Sequence, residues 1–232
     1  SSARKLVINA LNNWSKLHKS THEVWIDLIE SSGFYPYLQK NEFNKLNNLP
    51  AEIRKGLHQS ENIPSKYFHE EQLELLKHLA TDKNIIVSAP TSFGKSLLIE
   101  EIISSKKYQN IVIIQPTLAL LDETRRKLLK YRESYKLIVR TSQEPDELRG
   151  NIFLFTAERV NEYQDFINVD FLVIDEFYKL SGNRDDERSS SLNNAFNYLL
   201  RTYSPKFYLL GPNIDGISEG FADRYDAVFI KS

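Results

Sequence analysis

The sequence predicts an α/β fold: a mostly parallel sheet with helices on both faces, preceded by an N-terminal helical segment. Three observations predict it. From residue 84 onward, apolar runs of strand length alternate with stretches of helical period. Most of those runs are apolar throughout, as strands covered on both faces must be. Residues 3 to about 60, by contrast, show helical spacing and no β pattern.

Taken in order, Leu6, Ala10, Trp14 and Leu17 recur at helical spacing, with Val7 and Leu11 beside them. Trp14 and Trp25 lie in such apolar stripes and are expected in a core. Thr21 is the expected N-cap of a second helix carrying Val24, Trp25, Leu28 and Ile29, which Gly33 stops. Asn62-Ile63-Pro64-Ser65 reads as a linker or turn, so residues 1–62 are expected to form an accessory helical segment and 63–232 the α/β domain. A helix carrying Gln72, Leu73, Leu76 and Leu79 then runs up to Asp82. Strands are expected at 84–88, 111–115, 137–140, 151–155, 171–174 and 206–210, with helices near 95–106, 117–131, 157–164 and 186–201. Pro116 fits a helical first turn, where no N–H is needed. Asp185, Asp186 and Glu187 open the last helix and Arg201 closes it, matching the helix macrodipole; capping explains this acidic trio better than a metal site.

Between the first strand and its helix lies Ala89-Pro90-Thr91-Ser92-Phe93-Gly94-Lys95-Ser96. Strand, tight loop, then helix is the context a phosphate-binding loop requires. Backbone N–H groups of Thr91, Ser92, Phe93 and Gly94 and the positive end of the helix would surround a polyphosphate. Lys95 would reach its β- and γ-phosphates, and the Ser96 hydroxyl would complete a Mg²⁺ site. ATP and Mg²⁺ are therefore the expected ligands. The run Phe171-Leu172-Val173-Ile174 ends in Asp175-Glu176, which places two acids at the rim where parallel sheets bind ligands. Asp175 would hold the Mg²⁺, and Glu176 would orient and deprotonate the attacking water.

With the acid pair continuing as Asp175-Glu176-Phe177-Tyr178, the chain resembles the first RecA-like domain of superfamily 2 (DExD/H-box) helicases over roughly residues 65 to 215. Phe68 and Gln72 precede the phosphate loop, and the resemblance implies that Gln72 reads the adenine edge. Gln115-Pro116-Thr117-Leu118-Ala119-Leu120 is similar to the family's Pro-Thr-Arg-Ala-Leu motif, with Leu118 in place of the arginine. Thr156-Ala157-Glu158-Arg159 is similar to its Thr-Pro-Glu-Arg motif, and Gly211-Pro212-Asn213 stands where Ser-Ala-Thr is usual. Tyr178 replaces the usual His or Asp. The resemblance implies nucleic-acid contacts at Pro116, Thr117, Thr156 and Arg159, and a second RecA-like domain that supplies arginine fingers and is missing from these residues. The isolated chain is then expected to bind Mg-ATP weakly and hydrolyse it barely, since loss of such an arginine costs about 10³–10⁵ in turnover. The box followed by Lys179-Leu180-Ser181 also resembles helicases of bacterial antiphage defence systems, the Hachiman helicase among them.

Composition narrows the classes. Hydrophobic content of 41% and charged content of 26% are ordinary for a soluble globular protein. No apolar stretch approaches membrane-spanning length and no secretory pattern opens the chain. The absence of cysteine excludes disulfides and thiolate metal sites, and a cytoplasmic setting is expected. His18, His22, His58, His69 and His78 lack metal-ligand spacing. Methionine is absent altogether. A net charge of −1 gives no global basic footprint, but Arg125, Arg126, Lys127, Lys130, Arg132, Lys136 and Arg140 cluster after the Pro-Thr segment, as either a phosphate-backbone contact or a solvated helix face. The leading expectation is the N-terminal portion of an ATP-dependent helicase or translocase acting on DNA or RNA, with a single strand as its track. A phosphate-loop NTPase acting as a protein switch is the alternative. A non-catalytic scaffold is disfavoured by intact Lys95, Ser96, Asp175 and Glu176. The partner of the N-terminal helices is not specified by the sequence.

Overall fold

The apolar runs fold as β1 (Asn84–Ser88), β2 (Asn110–Ile114), β3 (Tyr135–Ile138), β4 (Gly150–Phe155), β5 (Phe171–Asp175), β6 (Lys206–Gly211) and β7 (Ala227–Lys231). The structure is a computed structural model describing residues 2–39, 49–90, 93–180, 187–212 and 214–231. These strands form one seven-stranded sheet in the order β3-β4-β2-β5-β6-β1-β7. Every pairing is parallel. Helices α1 (Ser2–Asn12), α2 (His22–Ser31), α3 (Leu49–Leu57) and α4 (Glu70–Ala80) precede or lead into the sheet. Helices α5 (Lys95–Ser104), α6 (Leu118–Leu128), α7 (Ala157–Glu162), α8 (Glu187–Tyr203) and α9 (Glu219–Arg224) connect its strands.

Alternate strand residues explain why the runs are continuous. Ile86, Val112, Phe153, Leu172 and Phe207 point to one face and join Val160 of α7 and Ala195, Phe196 and Leu199 of α8 in one core. Their neighbours Ile85, Ile111, Ile152, Phe171 and Tyr208 are also fully buried, so the opposite face is covered as well. Helix α5 buries Leu98, Ile99, Ile102 and Ile103, a stripe at 3.6-residue period. At the amino end of the sheet, Asn151 donates to Asn110 Oδ1 at 2.9 Å and to Asp146 O at 2.9 Å, and accepts from Asp146 N at 2.7 Å. This buried side chain is fully satisfied, which is what its burial demands.

The chain divides into two compact units, Ser1–Leu75 and Leu76–Ser232, with the division falling inside α4. In the first, Val7, Ile26, Ile29, Tyr35 and Leu38 form a small core with Trp14 packed against it. Fully burying a side chain such as Ile29 stabilises by about 1.5–3 kcal/mol. Gly33 has φ 76°, Gly33 N–H donates to Glu30 O at 2.9 Å and Phe34 N–H to Ile29 O at 3.1 Å, the paired bonds that stop α2 where the sequence placed its end. The buried Glu30 carboxylate accepts from Arg54 Nε at 2.6 Å and Nη2 at 3.0 Å, joining α2 to α3.

Several expectations are corrected. Helix α1 stops at Asn12, so Trp14 and Leu17 lie beyond it; the Asn13 side-chain amide donates to Asn9 O at 3.0 Å and diverts the chain into a 3₁₀ turn. Strand β3 spans Tyr135–Ile138, not 137–140, because Gln143 Oε1 takes the N–H groups of Val139 and Arg140, both at 2.9 Å. Pro116 precedes its helix: Thr117 is the N-cap, with extended backbone at φ −140° and ψ 150°. Strand β7 and helix α9 were not anticipated; Ala227–Lys231 adds to the sheet through β1. The acids Asp185 and Asp186 lie outside the described residues, as does Asn213.

Candidate functional site

In a parallel sheet every strand delivers its last residue to one rim, and ligands bind in the loops there. This rim receives Ser88 from β1, Ile114 from β2, Phe155 from β4, Asp175 from β5 and Gly211 from β6. β6 separates β1 from β5. At about 4.8 Å per strand, their axes are roughly 10 Å apart, leaving room between the phosphate loop and the acid pair.

The described part of the loop is tied to the neighbouring strand. Ala89 N–H donates to Gly211 O at 2.9 Å, Phe93 N–H to Pro90 O at 3.1 Å, and the Ser88 hydroxyl accepts Ile214 N–H at 2.6 Å. Gly94 is the N-cap of α5 at φ 78° and ψ 33°, a left-handed conformation that glycine adopts at little cost. Gly94 has no side chain to cap α5, so the N-cap residue itself leaves the first amides and the positive end of the helix open to an anion. Lys95 opens the helix half-buried, with Ser96 exposed beside it.

Across the rim, burial pushes the Asp175 carboxyl above the usual carboxylate range, and the Glu176 charge adds to this. The Lys95 ammonium opposes both, helped by hydrogen bonds from the Gln115 side chain and the Glu176 N–H, the latter at 3.1 Å. Lys95 and Asp175 therefore share one electrostatic site. Glu176 has φ 62°, left-handed for a residue with a Cβ. Such a conformation costs roughly 1–2 kcal/mol. The Tyr178 hydroxyl donates to Glu176 Oε2 at 3.4 Å. Gly211 packs so closely on the Phe177 ring that an added Cβ would stand 3.0 Å from it. Beyond the acid pair, Gln115, Pro116, Thr156, Glu158, Asp175 and Glu176 line a cavity of about 30 Å³.

The donor set fits Mg-ATP. Among the described residues no three or more His, Asp or Glu side chains are grouped to hold a metal. One carboxylate and one hydroxyl, with phosphate oxygens and waters completing the shell, are what Mg²⁺ takes in nucleotide sites.

The sequence profile of the DEAD/DEAH box helicases matches residues 69–209, more than half of the chain. The chain belongs to the DEAD/DEAH box helicase family. Residues 1–49 of the chain match a second profile, the N-terminal domain of anti-bacteriophage protein B. Anti-bacteriophage protein B of Escherichia coli (strain K12) is 35% identical over 224 residues, covering 92% of this chain and 30% of that protein. The chain thus spans about a third of the length of this relative. Among solved structures, the crystal structure of the Pyrococcus furiosus Hef helicase domain is 15% identical with a TM-score of 0.45, covering 68% of this chain and 37% of that one.

The residues singled out in the sequence separate into groups. Asp175, Glu176, Pro116 and Thr156 line one cavity, and Lys95 acts on Asp175. Thr91 and Ser92 lie outside the described residues. Thr117 uses its hydroxyl as the cap of α6, accepting Leu120 N–H at 3.3 Å. Arg159 donates to Val139 O at 2.9 Å and so ties α7 to the end of β3. Gln72 is 3% exposed, and its Oε1 accepts His69 N–H at 2.9 Å, the return bond of a helix capping box. In the basic cluster, Arg125 and Arg126 share Asp122, Lys127 pairs with Glu123, and Lys130 pairs with Glu100. Gln115, which opens the Pro-Thr segment, is a further residue of this cavity. Its signal was available: it is the polar residue that ends the apolar run Ile111–Ile114. No helix among the described residues is long and apolar enough to cross a membrane.

Proposed function

We propose that residues 63–232 are the first RecA-like ATP-binding domain of an ATP-dependent helicase or translocase that moves on DNA or RNA, with residues 1–62 as an accessory helical segment. The observation that supports it most is the sharing of one sheet rim by Lys95, Asp175 and Glu176 with the Pro116-Thr117 and Thr156 segments, which line the same cavity as the acid pair or flank it. When bound, Mg-ATP supplies the phosphoanhydride whose cleavage drives movement.

The chain's own part follows from its residues. The α5 N-terminus and the backbone N–H groups of Thr91, Ser92 and Gly94 would bind phosphate oxygens, Phe93 N–H joining them by giving up its bond to Pro90 O, and the Lys95 ammonium would add positive charge. Ser96 and Asp175 would hold Mg²⁺. Glu176 Oε orients the attacking water and accepts its proton, and the Tyr178 hydroxyl holds that carboxylate in place. Gln72 would read the adenine edge, as the family resemblance implies. Pro116, Thr117, Thr156 and Arg159 would contact the sugar-phosphate backbone rather than base edges, which suits an enzyme that steps over any sequence. Similarity to anti-bacteriophage protein B supports a role in bacterial defence against phage.

A nucleotide switch that ignores nucleic acid is the second reading. It draws support from the acids that neutralise much of the basic cluster on α6. One assay decides: ATP hydrolysis by the protein encoded by the natural gene, with and without single-stranded DNA, single-stranded RNA and duplex, beside a Glu176→Gln control. Stimulation by one nucleic acid that vanishes in the control is expected. Hydrolysis indifferent to all of them would establish the switch, and no hydrolysis would overturn both readings.

A further inference from the structure

Gln115 occupies a rim position that lies between the two halves of the proposed machine. β2 lies between β4 and β5, with Ile114 in register with Phe155 on one side and Ile174 on the other. The next residue, Gln115, therefore faces Thr156 on one side and Asp175 on the other, and its N–H donates to Phe155 O at 3.1 Å. Pro116 and Thr117 follow it directly. Its side chain is 5% exposed and lies near enough to Asp175 to favour that carboxyl's charged form. Only the N–H end of a carboxamide can face a carboxylate, so the oxygen is turned the other way. That oxygen, Oε1, is buried without a hydrogen-bond partner among the described residues, and Gln115 lines the cavity shared by Thr156, Glu158, Asp175 and Glu176. The Thr156 hydroxyl makes no capping bond to α7.

We propose that Gln115 is a positioning residue that couples the nucleic-acid segments to the metal-holding carboxylate, one end of its amide fixing Asp175 and the other reading the state of Thr156 and the chain after Pro116. The inference rests on the proposed function of this rim. A buried acceptor without a donor is unfavourable, so any movement that offers it a donor is favoured. Engagement of a strand at Pro116, Thr117 and Thr156 moves the groups around Oε1. Because the amide is rigid and planar, a shift at its oxygen end displaces its nitrogen end against Asp175. The converse also holds, since coupling between two binding sites is reciprocal.

The test is an equilibrium one, made on the protein encoded by the natural gene. Affinity for dye-labelled oligothymidylate and oligouridylate is measured by fluorescence anisotropy, with and without Mg²⁺ and a slowly hydrolysed ATP analogue. The wild type is expected to change its strand affinity by about tenfold on nucleotide binding, within the usual range for coupled sites. Gln115→Leu keeps the volume and removes both hydrogen-bonding ends. It is expected to bring that ratio to within about twofold of unity, while strand affinity without nucleotide changes by less than about threefold. Should Gln115→Leu not fold, Gln115→Asn withdraws the amide from Asp175 and gives the same readout. A variant that keeps the wild-type ratio overturns the inference and leaves the proposed function standing. A wild type that binds strand and nucleotide with no coupling also overturns it. A wild type that binds no strand overturns the reading beneath it.

Discussion

Glu176 carries its candidate role in a backbone conformation that a side chain resists, and a pair of variants measures that cost. Glu176→Ala and Glu176→Gly both remove the carboxylate and its bond from the Tyr178 hydroxyl, so the difference between them isolates the backbone. At φ 62° the Cβ of alanine keeps the strain, and glycine releases roughly 1–2 kcal/mol of it. Glycine also gains freedom in the unfolded chain, which costs about 0.5–1 kcal/mol. The balance favours the Gly variant by about 0–1.5 kcal/mol, centred near 0.75 kcal/mol, the reverse of the order at ordinary helix or strand positions. Urea unfolding with unchanged m-values should show this as a higher midpoint for Glu176→Gly. In a thermal scan it should appear as a rise of about 1–4 °C. Neither variant should turn over ATP. An alanine variant as stable as the glycine variant would refute the claim that this site stores backbone strain.

Two further outcomes are expected. Hydrogen bonds from the Arg149 N–H, the Arg149 guanidinium and the Leu148 N–H hold the Asp146 carboxyl down to about 2. A carboxyl with a depressed folded pKa stabilises above its unfolded value and loses that contribution as the pH falls through the folded one. The urea midpoint of Asp146→Asn should therefore lie below wild type at neutral pH, with the gap closing as pH falls from about 4 toward 2; a constant gap would contradict the assignment. The Tyr208 hydroxyl is buried with no hydrogen-bond partner among the described residues. Tyr208→Phe should thus leave stability unchanged or raise it by up to about 1 kcal/mol, and a loss beyond that in calorimetry would reveal a partner for the hydroxyl.

The sequence by itself determined the sheet, because a strand buried on both faces has to be apolar at every position, and runs such as Ile111–Ile114 and Phe171–Ile174 leave no other reading. It also marked the candidate phosphate loop and the acid pair, since glycine before lysine and two acids after an apolar run are local patterns. Element ends were less legible. β3 ends where Gln143 caps it, a bond between residues that no periodicity connects. β7 was missed because a short edge strand is defined by its partner β1 and not by its own run. Gln72, Thr117 and Arg159 carried a motif's signature, yet their side chains also serve helix caps and a strand end, which only packing reveals. Strand order was decided by tertiary structure alone. It placed β6 between β1 and β5, and β2 between β4 and β5, and so made Gln115 a neighbour of both Asp175 and Thr156. Residues distant in sequence become one site only when strands pair, and pairing depends on the sum of contacts across the whole sheet, which no single segment encodes.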